Sequence, residues 1–381
     1  MTKMILILQN IMLKMNKVFN FFRAKWIWYK PLKVEILIYD YCGFSLIKDY
    51  IKSFNYDYIY TRSEQINIPI FLISLLNSFF SGINLKQIYL DSLIEIIQPK
   101  IIITCVDNNI NFYSISHRFP HIKFIFIQNG TRNAKGDIFE ILKKNKQFKV
   151  DYMFVHGKAI GEYYSRFIKG KYIPVGSFLS NKFPKQYNKT RKKNILFISQ
   201  YINDKISKKC EITYINETRL LSFLKEWCTE NNEYLYVLGR TGSNGEEKYF
   251  REYLGDCKWK FLYSKNKNLS YNAVDDSKVV VCVDSTLGFE SLSRGNKTLF
   301  FTFRDLDKLG SAKFGWPLKF PESGLFWSNT LTQEIFNKKM NLIYRMSSDK
   351  WIYFTKNKFD DLMIFDRHNS KFNKLIKKIV T

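Results

Sequence analysis

From residue 34 onward the chain repeats one pattern: a short unbroken apolar run, a polar or glycine switch, then a segment with helical spacing. An unbroken apolar run at strand length marks a strand buried on both faces. Such strands belong to parallel sheets with helices packed on either side. In the first half the runs are Val34–Tyr39, Ile101–Val106, Phe124–Ile127, Tyr152–Val155 and Ile173–Val175. In the second half they are Ile195–Ser199, Tyr234–Leu238, Trp259–Tyr263, Val279–Val283 and Thr298–Phe303. Between them, Leu85 to Ile97 places Leu85, Ile88, Tyr89, Leu93, Ile96 and Ile97 on one helical face, and Pro99 stops it. Further helices are expected from Gly43 to Ser53, from about Ile215 to Cys228, over Leu269–Asp275, and over 331–346 and 367–380.

The series is interrupted once. Residues 182–193, KFPKQYNKTRKK, hold six basic residues, one proline and almost nothing apolar, which reads as a linker. The expected organisation is a basic aromatic segment (1–33), an α/β domain (34–181), the linker (182–193), a second α/β domain (194–365) and a C-terminal basic helix (366–381). The expected fold class is α/β, two Rossmann-like domains facing a cleft, with ligands at the carboxyl ends of the strands.

Charge narrows the partners. Sixty Lys and Arg against 34 Asp and Glu give +26. Such a field attracts phosphates, anionic lipid or nucleic acid, although a chain rich in Lys, Asn, Ile, Tyr and Phe can also be basic through compositional bias alone. No RNP, KH, zinc-finger or helix-turn-helix signature is present, so nucleic acid is not an expected partner. Residues 1–33 carry seven Lys/Arg, no carboxylate, and Phe19, Phe21, Phe22, Trp26, Trp28 and Tyr29. That mixture suits an interfacial segment on an anionic membrane. The alternative is an ordinary first helix preceded by a misassigned start at Met1. Ile68–Phe80 is the most apolar run, and it is too short to span a bilayer. The six cysteines and four histidines form no CxxC pair or zinc-type cluster. The thiols fit a reducing cytoplasm, and with the N-terminal segment the expected location is cytoplasmic, peripheral on the inner face of the membrane.

The polar residues at strand ends carry the chemistry. After Val279–Val283 comes Asp284-Ser285-Thr286-Leu287-Gly288-Phe289-Glu290. Ser285 and Thr286 fall at the N-cap and first position of a helix, where free N–H groups and the dipole suit a phosphate. Gly288 would let a ligand approach, and Glu290 would meet ribose hydroxyls. After Phe124–Ile127 come Gln128, Asn129, Gly130, Thr131 and Arg132, a set suited to donor or acceptor phosphate; an Asn-Gly turn is the plainer reading. Asp107, after Ile101–Val106, and His156, after Tyr152–Val155, are the candidates for general base. Ser199 and Gln200, and Gly239 and Arg240, follow strands of the second half and could contact the nucleotide or simply turn the chain. No DxD pair stands at a strand end, so neither metal nor cofactor is expected.

Five stretches carry a resemblance: Val106-Asp107-Asn108-Asn109, Gln128 to Arg132, Val175-Gly176-Ser177-Phe178, Leu196 to Tyr201, and Asp284 to Glu290. In these the chain resembles bacterial O-antigen and surface-carbohydrate biosynthesis proteins, and more distantly it is similar to GT-B glycosyltransferases, including those that build capsules and teichoic acids. The resemblance implies an acceptor on the first domain, a nucleotide-sugar donor on the second, and no obligatory metal. Glycerophosphotransferases of this shape carry His-Gly where this chain has Asn129-Gly130, so their base has no counterpart here. The expected function is glycosyl transfer from a nucleotide-sugar to a lipid-linked or polysaccharide acceptor. A nucleotide-sugar epimerase or hydrolase of the same shape, and a basic nucleic-acid binder, are the alternatives.

Overall fold

Runs such as Ile101-Ile-Ile-Thr and Val279-Val-Val-Cys are buried at every residue, as unbroken apolar strands require. The structure, a computed structural model, describes residues 22–61, 64–133, 137–143, 148–185, 194–201, 208–241, 243–264, 267–303 and 313–381. Residues 1–21 of the expected membrane segment and 186–193 of the expected linker lie outside this set. The chain divides into two units. One comprises Met1–Ile127, Lys149–Tyr152 and Asn373–Thr381; the other comprises Gln128–Phe148 and Met153–Phe372.

Two short strands, β1 (Lys25–Ile27) and β4 (Gln65–Asn67), pair in parallel, Trp26 opposite Ile66. A six-stranded sheet contains β2 (Ile36–Tyr39), β3 (Tyr56–Ile59), β5 (Ile101–Thr104), β6 (Lys123–Ile127), β7 (Phe148–Val155) and β8 (Ile168–Pro174). Its order is β3-β2-β5-β6-β7-β8, and β2–β3, β2–β5 and β5–β6 are parallel. The second sheet contains β9 (Asn194–Ile198), β10 (Leu235–Leu238), β11 (Trp259–Leu262), β12 (Ser277–Cys282), β13 (Thr298–Phe301) and β14 (Trp327–Ser328). Its order is β11-β10-β9-β12-β13-β14, parallel throughout. Counted from its own first strand this is 3-2-1-4-5-6, the dinucleotide-fold order. No strand before residue 182 thus shares a sheet with a strand after 193.

The helices of the first unit are α1 (Phe44–Ile51), α2 (Ile68–Ser81), α3 (Leu85–Ile97) and α4 (Asn111–Ile115). Gly43 enters α1 at φ 86°, and a Cβ there would stand 2.7 Å from that of Cys105. Only glycine allows so close an approach to β5. In the second unit follow α5 (Ile138–Leu142), α6 (Lys158–Ser165), α7 (Phe178–Lys182), α8 (Lys208–Glu230), α9 (Asn244–Leu254), α10 (Lys267–Asp276), α11 (Thr286–Ser293), α12 (Gln333–Arg345) and α13 (Ser348–Thr355). The last helix, α14 (Ser370–Val380), runs into the first unit's residues 373–381.

Several elements escape the periodicity, among them β3 and α9. β3 is an edge strand with three half-exposed residues, Tyr56, Asp57 and Tyr58, so it has no apolar run. Helix α9 buries Glu246 beside Phe250 and Leu254, so a carboxylate interrupts its apolar stripe.

Residues 361–369 form a strap across the second unit. Ile364 N–H donates to the His156 carbonyl at 3.1 Å, and Ala159 N–H to that of Asp361 at 3.0 Å. A Cβ on Gly157 would stand 2.3 Å from the Asp361 carbonyl oxygen, so the strap closes on bare backbone. Asn181 pins its far end, donating to Asn369 Oδ1 at 2.7 Å and accepting from Asp366 N–H at 3.1 Å.

Candidate functional site

In the second sheet the chain winds one way from β9 to β11 and the other way from β12 to β14. The crevice of such a sheet opens between its two central strands, here β9 and β12. Ser199 and Gln200 follow β9, and Asp284 and Ser285 follow β12. Gln200 Nε2 donates to Asp284 Oδ1 at 2.8 Å, so one side chain bridges the switch point.

Helix α11 begins where the sequence places it. Ser285 is the N-cap in extended conformation, and its hydroxyl makes no capping bond. Gly288 N–H donates to the Ser285 carbonyl at 2.9 Å, and the N–H groups of Thr286 and Leu287 precede that first intrahelical bond. Thr286 serves a different purpose from the one expected. Its Oγ1 lies 3.0 Å from Thr131 Oγ1 and accepts from Thr131 N–H at 3.2 Å. The turn after β6 is thereby bonded to the start of α11.

Gln128 organises that turn. It is buried; its N–H donates to the Phe154 carbonyl at 2.9 Å, its Nε2 to the Gly130 carbonyl at 2.8 Å, and its Oε1 accepts from His156 N–H at 2.9 Å. Arg132 donates to Asn129 Oδ1 at 2.8 Å and stands 3.7 Å from Asp137. The guanidinium is held in place, and the fork is aimed by neighbours.

These groups meet in one pocket, wholly within the second unit. Its polar lining is Gln128, Thr131, Arg132, Asn133, His156, Asp284, Thr302 and Lys313. Phe289, Phe314, Trp316 and Leu362 supply apolar wall. The pocket combines the braced Arg132, the exposed Lys313 paired with Glu322, an imidazole, and the Asp284 carboxylate just before the N-terminus of α11. Such a set holds a phosphorylated ligand and can move a proton.

Four further expectations change. Gly288 is small for packing: a Cβ there would sit 2.4 Å from Cys282 Sγ and 3.0 Å from the Phe300 ring, so the glycine seats α11 on the sheet. Glu290 is not a surface carboxylate. It is buried and accepts from Tyr271 Oη at 3.0 Å. Burial, and then the Glu290 charge and hydrogen bond, push the Tyr271 phenol far above its ordinary range. Asp107 is fully buried in the first unit and is not among the pocket residues. Without solvent access it is poorly placed to take a substrate proton. Ser199 and Gly239-Arg240 brace the loops. Ser199 Oγ and Arg240 N–H both donate to Glu246 Oε1 at 2.7 Å, and Gly239 leaves room for Phe261. The exposed Arg240 guanidinium reaches the Gln200 carbonyl at 3.4 Å.

Glu246 is one of the residues that the sequence reading misses. It is fully buried and also accepts from Thr241 N–H at 2.8 Å and Thr241 Oγ1 at 2.7 Å. A signal was present: Ser243-Asn244-Gly245-Glu246 has capping-box spacing, and Ser243 Oγ accepts from Glu246 N–H at 3.3 Å. Lys313 and Trp316 gave no such signal. Behind the site, Arg294 forks onto Asp275, with both side chains out of solvent, and Asn296 Nδ2 donates to Asp275 Oδ1 at 2.8 Å. Among the described residues no group of three or more His, Cys, Asp or Glu could hold a metal ion.

A protein family described as "putative O-antigen biosynthesis protein" matches residues 125–380. A comparison with curated protein sequences gives no match. Several solved structures share the fold. MnaA of S. aureus in a co-structure with UDP is 8% identical, over 90% of this chain and 96% of that one, with a TM-score of 0.54. UDP-GlcNAc 2-epimerase from Neisseria meningitidis bound to UDP-GlcNAc is 12% identical, over 91% and 100%, at 0.52. A glycosyltransferase from Rickettsia africae is 11% identical, over 92% and 99%, at 0.50. At these identities the likeness is one of fold: two Rossmann-like sheets of the GT-B type.

Proposed function

Because the chain belongs to the family described as "putative O-antigen biosynthesis protein", we propose that it transfers a glycosyl group from a nucleotide-sugar to a lipid-linked or polysaccharide acceptor on the cytoplasmic side of the membrane. The diphosphate of the donor lies at the N-terminus of α11, against the Ser285 hydroxyl, with Arg132 and Lys313 balancing its charge. The His156 ring takes the proton from the attacking acceptor hydroxyl. The new glycosidic C–O bond forms as the anomeric C–O bond to phosphate breaks, and the nucleoside diphosphate departs with that electron pair. The two cations stabilise the leaving group where other enzymes use a metal.

One observation carries this reading: the Thr131–Thr286 contact, which brings the turn after β6 to the α11 N-terminus and gathers Arg132, His156 and Asp284 around one pocket. Titration calorimetry with UDP-, GDP-, CMP- and CDP-sugars tests it. One donor should bind, and Arg132→Ala should weaken it by on the order of tenfold or more, the value of a charged hydrogen bond. Binding that Arg132→Ala leaves untouched would remove the pocket from the reading.

A second reading has support in the two neighbours bound to UDP and UDP-GlcNAc, one of them an epimerase. An epimerase would interconvert the donor sugar with no acceptor present. Proton NMR of UDP-GlcNAc incubated with protein alone separates the two: a transferase leaves C2 configuration intact.

A further inference from the structure

Helix α2 inverts the usual arrangement of an amphipathic helix. It runs IPIFLISLLNSFFS, begins at an Asn67 cap with Pro69 in its first turn, and ends at Gly82 in the left-handed conformation. Only Ile68, Ile70 and Ser74 are buried. Leu72, Leu75, Leu76 and Phe79 recur at helical spacing on the outer face, with Ile73 and Phe80 beside them, and all are exposed. Phe79 and Phe80, 85% and 83% exposed, form its far tip. At its start, β1 pairs with β4 and brings a second apolar group to the same end: Trp28, Tyr29 and Leu32, all above two-thirds exposed. The Tyr29 carbonyl accepts from Asn67 Nδ2 at 2.7 Å, which ties that segment to the helix cap. A continuous apolar face of this size is rare on a protein that meets only water.

Charge identifies what covers it. From Gln65 to Leu90 the one charged residue is Lys86, and from Arg23 to Val34 the charges are Arg23, Lys25, Lys30 and Lys33, with no carboxylate in either stretch. All five cations are exposed. A second copy of the chain would bring two such cationic rims together, which repulsion opposes. A surface that is apolar at depth and anionic at its edge complements both features, and that is the profile of a bilayer rich in anionic headgroups. The 14-residue helix is about 21 Å long, short of the ~30 Å hydrocarbon core, so it lies in the interface plane. The Trp and Tyr side chains suit headgroup depth.

We propose that α2, together with the β1 segment, is a membrane-docking face that inserts Phe79 and Phe80 among acyl chains while Arg23, Lys25, Lys30, Lys33 and Lys86 meet lipid phosphates. The proposal stands apart from the transfer chemistry above and survives its failure.

The test is flotation of the full chain with vesicles of phosphatidylglycerol and phosphatidylcholine, and with phosphatidylcholine alone. Wild type should float with the anionic vesicles, with a blue shift in tryptophan emission. Phe79→Asp with Phe80→Asp should lower the partition coefficient by roughly tenfold or more, and Lys30→Glu with Lys33→Glu should lower it on anionic vesicles only. Phe79→Ser with Phe80→Ser repeats the test without added charge, and circular dichroism melts verify that each variant folds. Free inorganic phosphate at millimolar concentration should not compete. Wild-type binding by both phenylalanine variants overturns the proposal. So does a wild-type dimer in light scattering that those variants dissociate, because α2 would then be a protein interface. A wild type that floats with neither vesicle overturns it as well.

Discussion

Helices α2 and α11 both follow a strand and both start at a polar cap, Asn67 and Ser285. Their burial is opposite. Helix α2 turns leucines and phenylalanines outward, whereas α11 buries Gly288, Glu290 and Ser291 and has buried Arg294 just past its end. Each choice costs stability. Exposed apolar surface forgoes about 25 cal/mol per Å² of burial, and buried polar groups must be hydrogen-bonded to be tolerated. In α11 they are, through Tyr271, Asp275 and Thr298. In α2 the exposed apolar face has no partner of that kind among the described residues, and on our proposal its cost is recovered at a membrane. A helix that buries polar groups and satisfies them is building a rigid site. On our proposal, a helix that exposes apolar groups inside a cationic rim is built to attach.

The largest expected effect tests that contrast directly. Arg294→Ala leaves Asp275 charged and buried, and should cost ~3–5 kcal/mol in urea denaturation. Phe79→Asp with Phe80→Asp should change the same measurement by no more than about 0.5 kcal/mol. Similar losses in both would mean that α2 is part of the folded core. Next comes Glu290→Gln. As a cleft-surface group it would leave stability unchanged. As the buried acceptor of Tyr271 it should cost about 1–3 kcal/mol, and a double-mutant cycle with Tyr271→Phe should show coupling.

Gly288→Ala is of similar size but instructive in sign. Helix propensity favours alanine by about 1 kcal/mol, yet its Cβ would meet Cys282 Sγ at 2.4 Å. Overpacking should win, with a net loss of about 1–3 kcal/mol, and Cys282→Ala should restore part of it. Thermal melts of the three variants decide the sign.

A pH slope probes the same cluster. Burial, and then the nearby Arg294 charge, lower the Lys185 pKa from an ordinary 10.5 to about 8. Its Nζ donates to the Ser293 carbonyl at 3.0 Å, beside the same polar cluster. Between those pKa values the unfolded chain binds more protons than the folded one, so stability rises with pH. The penalty of a charged Lys185 is full below about pH 8 and fades toward 10.5. Lys185→Met should therefore be stabilised at pH 7, and its stability curve between pH 8 and 10.5 should be flatter than wild type.

Strands and strand-end turns were legible because their signals are local. Val279–Val283 is apolar at every position and Asp284-Ser285-Thr286 breaks it within three residues. The meeting of Thr131 with Thr286 was not legible, since 155 positions separate them and each reads alone as a turn or cap residue. Gly288 and Glu290 were found as special, but their reasons were not: only the depth of Cys282 and Tyr271 beneath α11 shows that both face the core. For α2 the composition was plain and the burial was not. An apolar run of that length is equally consistent with a core helix.

Residues 373–381 belong to the same unit as residues before 128, and Lys100 Nζ there donates to the carbonyl of Val380. The order of synthesis then matters. A ribosome that has released the first sheet's opening strands must still make some 250 further residues before the last piece of that unit emerges. Until then the surface that α14 will cover is open, and so is the apolar face of α2. If α2 docks on lipid as proposed, a nascent chain in that state offers a membrane two places to bind, and early contact with lipid competes with completion of the fold.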